Sequence, residues 1–179
     1  ICRRNSLMNK IHLDLPLINY KNLSYQTMNN VVEMDRANGF EEQNRKFLSV
    51  GFTEKNTEYH QTFDVDDDTI QFGKNLFPRF SLSIIEQHPG QTIPAHLDTF
   101  FTFSLNNGVD PADCVRINVF LEDWKSGHYF EINETPVLHW KQGDAIIIRN
   151  NELHLSGNMG MQPKYTMQIT GVWNEFTGC

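Results

Sequence analysis

The chain is predicted to be mainly β, a double-stranded β-helix (jelly roll) with N-terminal helices packed on one sheet. Three observations predict it. From Arg79 onward, short apolar segments recur between turn signals such as Pro89-Gly90, Ser126-Gly127, Gln142-Gly143-Asp144 and Asn150-Asn151, the rhythm of a double-sheet jelly roll. The 13 Phe in 179 residues suit a β-rich core with aromatic packing. Helix-compatible segments are confined to the first third, the order expected when helices cover one outer face of a sandwich.

The elements follow in chain order. Ile1 to Leu7 lack an initiator Met and the apolar core of a signal peptide, so residues 1–7 read as a non-native or disordered leader and Met8 as a start. Residues 22–37 are compatible with a helix, with Ser24 as N-cap and Gly39 shortly after its end, although Met28, Val31, Val32 and Met34 fit a helical stripe only loosely. A second short helix is expected over Glu41–Phe47. Asp64 to Asp68 holds four aspartates in five residues and reads as a solvated acidic turn, because a calcium loop needs more ordered spacing. Strands are expected at Arg79–Gln87, Thr92–His96, Val115–Leu121, Tyr129–Ile132, Val137–Trp140, Ala145–Ile148, His154–Ser156 and Tyr165–Trp173, with Asn106–Asp113 as a surface loop. This describes one domain over residues 8–179, with a helical or irregular cover (8–78) and a jelly-roll core (79–173).

Composition narrows the class of function. A net charge of -7 without a long basic run argues against nucleic acid as a main partner. No stretch approaches the roughly 20 apolar residues that span a bilayer, so no membrane partner is expected. Cys2, Cys114 and Cys179 show neither zinc spacing nor an even disulfide framework, which suits a reducing, cytoplasmic setting.

Chemistry concentrates in two segments, Pro94-Ala95-His96-Leu97-Asp98 and Asn151-Glu152-Leu153-His154-Leu155-Ser156. At i and i+2 of a strand, His96 and Asp98 share a face. His154 would then arrive from another strand. Two neutral imidazoles and one carboxylate on one face of an octahedral ion leave three positions open, as suits a non-heme Fe(II) centre that binds a co-substrate and dioxygen together. The plainer alternative is a surface His-x-Asp pair and an unrelated histidine. Lys164 is the one cation in an otherwise uncharged strand. If that strand pairs next to the His154 strand, the ammonium can sit inside the barrel and needs an anion, such as the distal carboxylate of 2-oxoglutarate; otherwise it faces solvent. Arg116 opens an apolar strand, where a charge is unexpected, and could meet a carboxylate of co-substrate or substrate. Asn118 shares its face. Ser156 and Asn158 follow His154 at i+2 and i+4 and could hydrogen-bond a ligand. His128 could line the mouth, His139 reads as structural, and His12, His60 and His88 have no partner in the sequence.

Pro89-Gly90 through His96-Leu97-Asp98, then His154, then a basic residue ten positions on, resembles the Fe(II)/2-oxoglutarate-dependent oxygenase superfamily over roughly residues 80–173. Arg116-Ile117-Asn118-Val119-Phe120-Leu121, the Trp124/Gly127 turn and Gly171-Val172-Trp173 are similar to its aspartyl/asparaginyl β-hydroxylase branch. That branch often has a glycine where this chain has Asp98, and an arginine where it has Lys164. The resemblance implies that His96, Asp98 and His154 hold Fe(II). Lys164 would bind the far carboxylate of 2-oxoglutarate, with Arg116, Asn118 and Ser156 as further co-substrate contacts. Dioxygen would be the oxidant, and an unactivated C–H of a small molecule or peptide side chain would be hydroxylated with release of succinate and CO2. Asp98 argues against a halogenase, which needs that coordination site for chloride. Two rivals stay open: a non-catalytic jelly-roll module that binds sugar or another small ligand, and a cupin-type metalloenzyme that uses no keto acid. Loop Asn106–Asp113 and the N-terminal third are the expected specificity elements.

Overall fold

The computed structural model describes residues 10–29 and 41–177. Eleven strands are present among them: β1 (Lys10–His12), β2 (Gln26–Asn29), β3 (Glu58–Thr62), β4 (Phe80–Gln87), β5 (Thr92–His96), β6 (Cys114–Phe120), β7 (His128–Ile132), β8 (Thr135–Val137), β9 (Asp144–Arg149), β10 (His154–Asn158) and β11 (Lys164–Val172). Four helices join them: α1 (Glu41–Ser49), α2 (Glu54–Thr57), α3 (Asp67–Leu76) and α4 (Phe101–Asn107). The strands form a seven-stranded sheet, β1-β9-β6-β11-β4-β3-β2, and a four-stranded sheet, β5-β10-β7-β8, with every pairing antiparallel. From β4 onward the strands alternate between the two sheets, apart from the β7–β8 hairpin within the smaller one, which is the double-stranded β-helix.

Side-chain alternation explains why these strands form and how they stack. Along β6, Val115, Ile117 and Val119 turn outward into a core shared with Leu76, Phe77, Met167 and Ile169. The residues between them turn inward. Phe120 reaches the inter-sheet core of Phe130, Ile132, Val137, Trp140, Ile146 and Ile148 and stacks on Trp140 with ring centroids 4.0 Å apart. Arg116 and Asn118 lie further along the same inner face and are polar, as are Thr166, Gln168 and Thr170 of β11. The inner face thus changes from aromatic filling to a polar cavity, lined by these five residues among others.

The N-terminal third departs from expectation. It adds strands β1, β2 and β3 to the larger sheet, so the cover is only partly helical. Gln26–Asn29, expected within a helix over 22–37, pairs with β3 instead. The apolar stripe there is weak, and a sheet edge satisfies the backbone without one. Residues 30–37 lie outside the described residues, as do Met8, the leader, Cys2 and Cys179. Helix α1 stands where a short helix is expected. The acidic run is not a bare turn. Asp66 caps α3 by accepting a hydrogen bond from the Thr69 backbone N–H at 2.8 Å, and Asp67 and Asp68 sit in the first turn, where the helix dipole favours negative charge. Helix α3 then packs on the outer face of the larger sheet. The ring of Phe77, just past its end, lies 2.4 Å from where a Cβ on Gly171 would stand, so only glycine fits there. The expected loop 106–113 begins inside α4 and contains a 3-10 turn at Pro111–Asp113. At the β7–β8 hairpin, Asn133 and Glu134 both take left-handed conformations, the two-residue turn that matches strand twist. Among the described residues, no helix is long and apolar enough to cross a membrane.

Candidate metal centre

His96 ends β5, His154 opens β10, and these strands pair with the two residues directly opposite one another. Their rings lie 4.3 Å apart between centroids. Asp98, two residues beyond β5, turns back beneath them. Its Oδ1 stands 4.0 Å from His96 Nε2 and its Oδ2 stands 3.7 Å from His154 Nε2. One ligand atom from each of the three residues lies within 4.8 Å of the other two, so the set could hold one ion. The other ring nitrogens are committed. Nδ1 of His96 donates to the Pro94 carbonyl at 2.8 Å, and Nδ1 of His154 donates to the Glu152 carbonyl at 2.9 Å. This leaves both Nε2 lone pairs pointing at the shared space, the outer bonding that orients metal-binding histidines. His154 Nε2 and Asp98 Oδ2 are buried and have no hydrogen-bond partner. Such atoms are costly unless something fills the space between them.

Protonation suits an ion as well. Burial pushes His154 down to about 4, helped by the neighbouring His96, and burial likewise lowers His96 against the pull of Asp98. Burial alone would raise Asp98, but Arg116, His154 and His96 together outweigh it and hold the carboxyl below its usual range. At neutral pH the set is two neutral imidazoles and a carboxylate, the forms that metal binding requires.

Arg116 donates from Nη1 to Asp98 Oδ1 at 2.7 Å, contacts Thr170 Oγ1 through Nε at 3.4 Å and lies over the Phe100 ring at 5.7 Å. Its first partner is therefore the aspartate, not a carboxylate of another molecule, though it still lines the cavity. Phe100 holds a left-handed conformation, φ 51°, uncommon for a bulky residue, where the chain turns from Asp98 into α4. The cavity is about 540 Å³. His96, Asp98, Arg116, Asn118, His154 and Ser156 all line it, with Phe100, Phe101 and Phe103 along one side. Asn118 Nδ2 is buried in it without a partner.

Lys164 lies behind the cavity lining, against Ser156, and arrives by a different route from the one expected. Strand β11 pairs with β4 and β6 in the larger sheet, not with β10. The side chain crosses the sandwich from the opposing inner face. It is 2% exposed. Its Nζ donates to the Tyr129 carbonyl at 2.7 Å, to Ser156 Oγ at 2.5 Å and to Gln87 Oε1 at 3.4 Å, and it lies 5.9 Å from the Phe130 ring centroid. Every one of these acceptors is neutral. Burial pushes the ammonium down to about 7.

Other assignments change. Ser156 donates to Gln87 Oε1 at 2.6 Å and Asn158 donates to the Gln87 and Gln162 carbonyls, so neither bonds a histidine; the Pro94 and Glu152 carbonyls do. Backbone carbonyls carry no sequence signal, and Gln87 escaped notice because it reads as an ordinary strand residue. His128 is buried against the Gln162 carbonyl and does not line the mouth. His139 packs on Trp124, a structural place. His12 pairs with Asp144 at 3.0 Å, and His60 stacks on His88.

No protein-family model matches the chain, and no curated protein is similar to it. Solved structures show distant likeness. A predicted oxalate decarboxylase from Thermotoga maritima is 12% identical with a TM-score of 0.49, over 88% of this chain and 99% of that one. KdgF from Halomonas sp. is 9% identical with a TM-score of 0.41, over 63% and 76%. The Cnp3 cupin domain of Schizosaccharomyces pombe is 11% identical with a TM-score of 0.40, over 64% and 64%. Likeness this distant carries no argument about metal, substrate or reaction, and the double-stranded β-helix rests on the strand order itself.

Proposed function

We propose that this chain is an Fe(II)/2-oxoglutarate-dependent oxygenase that hydroxylates an unactivated C–H bond of a small molecule or peptide side chain. One observation carries the reading. A buried ammonium with no anionic partner among the described residues donates to Ser156, which lines the cavity where two orphaned ligand atoms of a His/Asp/His set converge. His96, Asp98 and His154 would hold Fe(II). When bound, iron and 2-oxoglutarate would supply the oxidising chemistry, with one dioxygen atom entering the substrate as hydroxyl and the other entering succinate as CO2 leaves. Lys164, with Ser156, would bind the far carboxylate by charge-assisted hydrogen bonds, and Asn118 Nδ2 offers a further donor. Arg116 is a positioning residue. It occupies Oδ1 of Asp98 and leaves Oδ2 turned toward His154. The phenylalanines around the mouth would shield the centre from water. Strands β1, β2 and β3 complete the same sheet, which supports treating residues 8–179 as one domain. A reducing compartment such as the cytoplasm would keep both the iron and the buried thiol of Cys114 reduced.

One observation favours a second reading. The neutral acceptors around Lys164 already satisfy its donors, as an amine that never meets a carboxylate would require. That reading is a metalloenzyme on the same three ligands without a keto acid. An anaerobic titration separates the two. Metal-free protein receives Fe(II), then 2-oxoglutarate, and the visible spectrum is recorded. The charge-transfer band of a chelated keto acid is expected in the wild type and absent in His96→Ala. Tight iron binding without the band would select the second reading. No iron binding at all would leave a ligand-binding module.

A further inference from the structure

A second group of ligating side chains stands on the opposite face of the larger sheet. His60 of β3 and Glu86 of β4 are cross-strand partners, and His88 lies two residues beyond Glu86 on the same face. Gln61, Ile85 and Gln87, between them in sequence, turn inward. Gln61 and Ile85 line the cavity, and Gln87 bonds Ser156. The sheet therefore separates this group from the His96 centre.

Its geometry is compact. The rings of His60 and His88 stack with centroids 4.4 Å apart and planes 27° from parallel. His88 Nε2 is 3.3 Å from Glu86 Oε1, and one ligand atom from each of the three residues lies within 4.8 Å of the others. Glu86 is oriented from behind by the Tyr165 hydroxyl, which donates to Oε1 at 2.7 Å. Glu58 borders the group, its Oε1 3.9 Å from His60 Nε2 and held by Gln91 Nε2 at 3.2 Å. His60 Nδ1 is buried and has no hydrogen-bond partner. A buried ring nitrogen left unpaired is costly. A cation held by ring nitrogens of the two histidines and the Glu86 carboxylate would relieve that cost. His88 is half-exposed, so the position is open to ions from solvent.

We infer that His60, Glu86 and His88 form a second metal site, for a divalent transition ion of the imidazole- and carboxylate-preferring class such as Zn(II), with Glu58 as a neighbouring carboxylate. Such an ion would pin the added strand β3 to β4 of the core. The site is independent of the proposed iron centre, and its test is independent too. Untagged, metal-free protein is dialysed anaerobically against Co(II), and bound metal is measured per chain. The wild type is expected to bind two equivalents. His88→Gln, a change at an exposed residue, is expected to bind one, and so is His96→Ala. Glu86→Gln should repeat the His88→Gln result, and circular dichroism checks that each variant is folded. Loss of one equivalent in His88→Gln supports the site whatever His96→Ala does. If His88→Gln and Glu86→Gln bind as much as the wild type, the site is refuted. A wild type that binds only one equivalent, kept in His96→Ala and lost in His88→Gln, would keep this site while removing the iron centre.

Discussion

At the scale of single residues, Lys164 carries the heaviest assignment. It is a buried cation among neutral acceptors, at the end of a strand whose other inward residues are uncharged. Lys164→Ala is expected to raise the apparent requirement for 2-oxoglutarate at least tenfold while changing the requirement for Fe(II) little. Equal effects on both would remove the assignment. The same residue predicts a pH dependence. With burial holding it near 7 in the free protein, rising pH deprotonates it, whereas a bound carboxylate favours the charged form and raises its pKa. Affinity for 2-oxoglutarate should therefore weaken above about pH 7, by up to about tenfold per pH unit until the pKa of the complex is reached. Lys164→Arg, which stays charged, should flatten that dependence; an unchanged slope measured by calorimetry would show that some other group titrates. The resemblance in sequence pointed to His96, Asp98, His154 and Lys164 because strand alternation and spacing are local properties. It could not show that Arg116 reaches Asp98, since that contact joins β6 to the chain beyond β5.

At the scale of elements, the strands of the core were legible and the cover was not. Core strands such as Val115–Leu121 bury one face or both, so apolar alternation marks them within a residue or two. The exception is the strand expected at Val137–Trp140, which is instead Thr135–Val137, because Trp140 is buried in the inter-sheet core from outside any strand. Strands β1, β2 and β3 add to the sheet with mostly half-buried or exposed side chains, Ile11 and Thr62 being the buried ones, so their pairing leaves little apolar signature. Helix α3 shows the reverse case, in which a polar run that looks like solvated loop is a helix start. Asp66→Ala removes the acceptor for the Thr69 N–H and should cost about 1 kcal/mol. In a domain of this size that lowers Tm by about 2–4 °C, measurable by calorimetry on the metal-free protein. A change within error would mean that the first turn of α3 is held by its packing on β4 alone.

At the scale of the whole molecule, the buried centre links stability to pH. His154 stays neutral in the fold down to about 4, but in the unfolded chain it takes up a proton below about 6.5. The unfolded state therefore binds more protons between these values, and stability falls as pH drops through the window, by roughly 1 kcal/mol per pH unit from this one group. His96, also lowered, adds to the same slope. Urea unfolding of metal-free protein between pH 4.5 and 6.5 should show that loss, and His154→Asn should show a shallower one. A variant as steep as the wild type would place the cost elsewhere. Binding of a metal to the folded state alone should raise stability further.

The sequence by itself determined the strand rhythm of the core, the β class of the fold and the segments that carry ligating side chains. These follow from periodicity and turn chemistry, which are properties of near neighbours. Only the tertiary structure decided which side chains meet. It turned Arg116 toward Asp98, brought Lys164 across the sandwich from the opposing sheet, and stacked His60 on His88, two histidines for which the sequence offers no partner. Register and sheet order set those meetings. They are decided by burial summed over the whole chain, so no local window contains them.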